Sequence, residues 1–191
     1  LIVSFAIILG FLINAFSTED IDRQACHTSV VLRASASISG VGEVRDKIPL
    51  QCQTDNICMT SGFFSKGCEG LGKDYTKLRT GDKTSVLNEI ADDIYSWHIT
   101  LGEGKINPVP IKWGDETYCF IGSIISLDEK TKENIIEEEG INYLDFYNTL
   151  REKPTSSGNS YLKEIYGMGD LAEVTETYGK FKVDIYEQWD L

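Results

Sequence analysis

The sequence predicts an α+β protein: a long N-terminal helix, membrane- or filament-buried in its first half and soluble in its second, then a small, mostly antiparallel sheet packed with two to four helices. Three observations lead there. The opening residues LIVSFAIILGFLINAF, Leu1 to Phe16, carry no charge. Beyond them, segments with a helical repeat of apolar residues alternate with short β-rich runs. Gly and Pro punctuate the junctions.

The opening stretch would form a helix roughly 24 Å long at about 1.5 Å per residue, against a bilayer core about 30 Å thick. Extending it to Thr18 nearly closes the gap. The chain opens on Leu1 and not on methionine, as expected if upstream residues were lost or cleaved. A cleaved signal peptide would end in a small-x-small site, and Asn14-Ala15-Phe16-Ser17 is a poor one. A soluble core helix would show a polar stripe, and only Ser4 and Asn14 interrupt this one. Residues 1–18 are therefore expected to be a hydrophobic, transmembrane-like helix and residues 19–191 an extracytoplasmic α+β domain. Glu19, Asp20 and Asp22 against a single Arg23 leave the C-terminal flank poor in positive charge, which places the body outside the cell. Ile21, Ala25, Val31, Ala34 and Ile38 continue a helical stripe, which Gly40 and Gly42 end.

A short strand is expected over Lys47–Cys52, with Pro49 marking an edge or strand start. Asp55-Asn56 reads as a turn and Ile57–Thr60 as the returning hairpin partner. From Ser61 to Asp82, Gly62, Gly67, Gly70, Gly72 and Gly81 indicate a loop, with Cys58 and Cys68 as its candidate staple. Thr84 or Ser85 should cap a helix whose apolar face is Val86, Leu87, Ile90, Ile94, Trp97 and Leu101, stopped at Gly102 and Gly104. Pro108 and Pro110 mark a loop. TYCFIGSIISL, residues 117–127, is uncharged and β-rich, the pattern of a central strand buried on both faces. Asp128 opens a short charged helix that ends at Gly140, and a more apolar helix spans Ile141–Leu150. Lys153–Gly158 is a loop, Ser160–Tyr166 a further helical turn, and Lys180–Gln188 (KFKVDIYEQ) a half-buried strand.

The five cysteines, Cys26, Cys52, Cys58, Cys68 and Cys119, include no C-x-x-C and match no common zinc spacing. With only His27 and His98 beside them they are disulfide candidates, and their odd number leaves one over. Disulfides and an outward-facing body agree with each other. A net charge of −12 disfavours nucleic acid and direct adhesion to anionic lipid headgroups.

IDRQACHTSVVLRA, IPLQC, EIADDIYSWHITLGEGK, ETYCFIGSIISLD and SYLKEIYG together make most of residues 1–166 resemble a group of uncharacterised archaeal proteins. These look like single-span membrane proteins with a Cys-containing extracytoplasmic α+β domain. The resemblance implies the architecture and the outward topology, and no mechanism. Members often carry a Cys-Trp pair near the end of the central helix and C-x-x-C in the strand. Here those places read Tyr95-Ser96-Trp97-His98 and Cys119-Phe120-Ile121-Gly122, one cysteine short in each, as loss of a disulfide between them would leave.

Candidate chemistry is sparse. His98 with Asp92 or Asp93 could sketch an acid–base pair, but about 600° of helical rotation separates Asp92 from His98, so they face different ways. No G-x-S-x-G offers a nucleophile. His27 beside Cys26 could assist a thiolate, although a disulfide is the simpler role for Cys26. Gly102-Glu103-Gly104-Lys105 lacks Walker spacing and reads as a helix stop. Asp128, Glu129 and Glu137–Glu139 form no calcium loop and read as a solvated face. The expectation is a membrane-anchored, non-enzymatic envelope or protein-interaction module, with no catalytic, cofactor or metal residues assigned. Its partners would be the lipid bilayer through residues 1–18, and copies of itself or other envelope proteins. The alternatives are a pilin-like filament subunit of type IV pilus or archaellum type, and an extracytoplasmic enzyme.

Overall fold

A computed structural model describes residues 18–38, 47–62, 68, 70–72, 74–106, 120–135 and 140–178. In chain order these form α1 (Thr18–Ile38), β1 (Asp55–Thr60), β2 (Thr76–Arg79), α2 (Lys83–Thr100), β3 (Ser123–Leu127), α3 (Glu129–Lys132), α4 (Tyr143–Glu152), α5 (Tyr161–Tyr166) and α6 (Leu171–Tyr178). The chain divides into two compact units, Leu1–Asp55 with His98–Gly122, and Asn56–Trp97 with Ser123–Leu191.

The second unit is built on a three-stranded sheet of order β2-β1-β3. It is parallel, where an antiparallel sheet was expected. Ile57 to Thr60 pair in the same direction with Thr76 to Arg79. On the other side, Asp55 N–H donates to Gly122 O and Asp128 N–H to Met59 O, so β1 and β3 also run together. There is no hairpin at Asp55-Asn56; those residues begin the central strand. The uncharged run near residue 120 contributes an edge strand and not the central one, and Ile124 on it is exposed. Residues 117–119 of that run lie outside the described residues. β2, inside the expected 61–82 loop, is the other edge, and its exposed Thr-Lys-Leu-Arg pattern suits one.

β1 is buried on both faces, and its alternation divides the core. Ile57 and Met59 meet Val86 and Ile135 on one face, where Ile90, Ile125 and Leu127 complete the layer. Cys58 points the other way, to Cys68, Leu71 and Tyr75. The β1–β2 connection therefore passes over the Cys58 face, and the β2–β3 crossover carries α2 over the Ile57 face. The two steps move in opposite directions across the sheet on opposite faces, so they share one hand, as parallel connections do.

α2 starts with a reciprocal cap. The Asp82 carboxylate accepts from Ser85 N–H at 2.7 Å, and Ser85 Oγ accepts from Asp82 N–H at 3.1 Å. The cap is Asp82, two residues before Thr84 and three before Ser85, the expected hydroxyls. Val86 faces the sheet; Ala91, fully buried, faces a second cluster with Tyr147, Leu150, Leu162 and Val174 from α4, α5 and α6. Ile94, expected on the buried stripe, is exposed, and Ala91 takes the inner position. Asn142 and Asp145 form the capping box of α4, and Ser160 caps α5, which Gly167 closes at φ 71°.

In the first unit, α1 is 21 residues long. The expected helix running continuously from Leu1 is not found among the described residues, and residues 1–17 lie outside them. Lys47–Cys52 is not a strand: it runs in irregular backbone, tied to α1 by the contacts given below. His98–Thr100 end α2 in a Schellman motif, with Glu103 N–H donating to His98 O and Gly102 N–H to Ile99 O. Gly102 sits at φ 90°, and a Cβ there would strike the Ile106 side chain, so only glycine fits. Five helices follow α1 among the described residues, where two to four were expected. The expected strand Lys180–Gln188 lies outside the described residues.

Candidate functional site

The feature that marks the first unit is a covalent pin. Cys26, fully buried on α1, is bonded to Cys52, with Cα atoms 4.3 Å apart. The adjoining backbone is fastened by side chains of the same helix. Gln51 N–H donates to Ser29 Oγ at 3.0 Å, and that hydroxyl donates to Cys26 O at 2.7 Å. Arg23 grips Asp55 Oδ2 through Nη2 at 2.7 Å and Nε at 3.0 Å. Thr54 Oγ1 donates to Ile121 O at 2.9 Å. Among these contacts Gln51 N–H is the backbone group of residues 47–54 that bonds to α1 and not to a strand.

The second pin is Cys58–Cys68 in the second unit, Cα atoms 5.6 Å apart, joining β1 to the connection that crosses its face. This is the staple expected from the glycine-rich loop. Cys119 lies outside the described residues.

Neither pin has the surroundings of a reactive cysteine. His27, next to Cys26, is exposed and its Nδ1 lies 3.0 Å from Thr100 O. A carbonyl only accepts, so Nδ1 carries the hydrogen and the ring is held as a donor. Asp92 is engaged through both carboxylate oxygens. Its Oδ2 holds the Lys153 ammonium and its Oδ1 accepts from Tyr161 OH at 2.9 Å, while Lys153 Nζ also donates to Asn88 O at 3.1 Å. The Tyr161 ring stacks on Tyr95 at 3.9 Å. Burial, reinforced by Asp92, pushes the Tyr161 phenol up to about 12, so it stays protonated and donates. The cluster fastens α2 to α5.

The remaining candidates resolve into structure. Asp128 caps α3, accepting from Thr131 N–H at 3.0 Å. Gly102–Lys105 is the helix stop described above, with Lys105 paired to Glu103. Glu137–Glu139 lie outside the described residues. No group of three or more metal-ligating side chains occurs among the described residues. An open groove of about 660 Å³ lies between α4 and α6, lined by Leu144, Arg151, Asp170, Leu171, Thr175 and Glu176. A smaller one, about 340 Å³, runs along α1, where Ala25, Thr28 and Leu32 face Ile48 and Pro49.

No protein-family model, curated protein or solved structure matches this chain. What the site does is therefore argued from its own residues. Ser29, Gln51 and the Arg23–Asp55 pair were not singled out by sequence; a serine three residues after a helical cysteine and a glutamine one residue before its partner carry no local signature.

Proposed function

We propose that the chain is an extracytoplasmic module held at the cell membrane by its apolar head, residues 1–18, and that it works by protein contact in the envelope and not by catalysis. The observation that carries this reading is the pair of disulfides, each with at least one sulfur-bearing residue fully buried. Bonds of this kind form and persist in oxidising compartments. The uncharged run Leu1–Phe16 supplies apolar length for lipid, and Glu19, Asp20 and Asp22 behind it favour an outward body. Among the described residues no helix is long and apolar enough to cross a membrane, and the apolar head lies outside them.

The test is topology. Expressed in full in an archaeal host, the protein should sediment with membranes and resist carbonate extraction. Protease added to intact cells should remove the body. An impermeant maleimide should label Cys26, Cys52, Cys58 and Cys68 only after reduction. Recovery in the cytosol with those four thiols free overturns the reading.

A further inference from the structure

Among the described residues four buried side-chain polar atoms have no hydrogen-bond partner, and three of them are hydroxyls at one end of the sheet: Ser61 Oγ, Thr80 Oγ1 and Thr131 Oγ1. Thr80 and Thr131 have no exposed surface. Ser61 and Thr80 follow the last paired residues of β1 and β2, Thr60 and Arg79, and Thr80 N–H still donates to Thr60 O at 2.9 Å. Alternation puts Ser61 on the face of Ile57 and Met59, and Thr80 on that of Leu78. Thr131, just beyond β3, precedes Ile135 of the same layer by one helical turn. The three hydroxyls therefore close one apolar layer at the carboxyl ends of all three strands, beside Val86 in the first turn of α2. Burying a hydroxyl unbonded is costly, and three at one place call for something to bond.

We propose that these hydroxyls bind a small tetrahedral oxyanion of the phosphate or sulfate type. Position comes first. In parallel sheets ligands sit outside the carboxyl ends of the strands, where successive connections leave over opposite faces. Here the chain leaves β1 over the Cys58 face and β2 over the Ile57 face. Room comes next. Both strands run out into a hydroxyl followed by glycine, Ser61-Gly62 and Thr80-Gly81, and a Cβ on either glycine would meet nothing within 4 Å. Gly81 and Asp82 are exposed and Ser61 and Gly62 half-buried, which leaves a way in from that side. Charge selects the ligand. The positive end of α2, a helix of 18 residues, begins at Lys83 close after Thr80. Segments 79–83 and 128–132 hold Arg79, Lys83, Lys130 and Lys132 against Asp82, Asp128 and Glu129, a balance of +1 where the whole chain stands at −12. The Asp82 and Asp128 carboxylates are turned to backbone, accepting from Ser85 N–H and Thr131 N–H. Three hydroxyl donors match three oxygens of a tetrahedral anion, where a carboxylate offers two.

The experiment is thermal unfolding of the purified full chain in sodium chloride, titrated with inorganic phosphate, with sulfate or with magnesium chloride at matched ionic strength. Phosphate or sulfate should raise the midpoint along a saturating curve, as a ligand of the native state does. Both anions also stabilise proteins by exclusion from the surface, but that effect neither saturates nor depends on a hydroxyl. Thr80→Val and, separately, Thr131→Val keep the side-chain shape and remove one donor, and each should weaken the fitted affinity at least about tenfold. Thr80→Ser, which keeps the donor, should hold it. Ser61→Ala repeats the test at the half-buried position, should a valine variant fail to unfold cooperatively. The inference is overturned by a rise that does not saturate with either anion, which leaves water alone to serve the hydroxyls. It is overturned equally by a saturating rise that the hydroxyl deletions do not weaken, or by one that magnesium chloride alone produces, which would make the site one for a cation.

Discussion

Tyr161 shows how a single polar residue fastens helices without becoming reactive. Its ring is stacked on Tyr95 and its hydroxyl is given to Asp92. Tyr161→Phe keeps the stack and removes the hydrogen bond. It should cost about 1 kcal/mol at neutral pH, read from the denaturant midpoint, at the low end for a charged acceptor because Asp92 is 49% exposed. The sign of the pH effect follows from the raised pKa. The unfolded phenol ionises near 10.0 and the folded one near about 12, so its contribution is full below the first value and lost on approaching the second. The variant should lose less stability than wild type across that alkaline window. Cysteine chemistry was legible at this scale only in part. Cys58 and Cys68 could be paired from sequence because the loop between them is short. Cys26 and Cys52 could not, since their meeting depends on residues 47–54 lying along α1.

Elements were legible where their ends are marked and illegible where only tertiary pairing decides. Ser160 and Gly102 mark the start of α5 and the end of α2 where they were expected, because caps and left-handed stops act within a few residues, while Asn142, the cap of α4, falls inside the helix expected to begin at Ile141. Strand direction leaves no such mark. Apolar alternation along β1 reads the same in either orientation, and Asp55-Asn56, good turn formers, begin the strand because Asp55 is held by Arg23 and Gly122. β2 carries two basic residues in four and looks like loop. α6 was not read at all, although Asp170 accepts from Ala172 N–H at 2.7 Å as a cap should. The cap of α2 lends itself to measurement. Asp82→Ala leaves Ser85 N–H without its acceptor and should destabilise the protein by about 1 kcal/mol. Asp82→Asn, which can still accept, should recover most of that in thermal unfolding.

At the scale of the molecule, the acidic balance makes pH a lever, and Asp145 is where folded structure and charge meet. Burial pushes its carboxyl up, but hydrogen bonds from Lys83 and Asn142 N–H and the Lys83 charge outweigh that and hold it below its ordinary value. A depressed carboxylate contributes stability above the unfolded pKa of 3.8, which is lost as pH falls through the folded one. Acid unfolding curves of Asp145→Asn should accordingly depend less on pH than those of wild type through the carboxylate range; equal slopes would dismiss the role. Strand order has a further consequence for how the protein is made. The middle strand leaves the ribosome before either neighbour, and its β3 flank stays bare until residue 123 has followed it. Among the described residues, the Cys58–Cys68 bridge ties β1 to a segment that precedes β3 in the chain, so its closure needs nothing from the last edge. Refolding with the bridge reduced should therefore be slowed more than the finished fold is weakened, a difference that refolding rates with and without reductant would read.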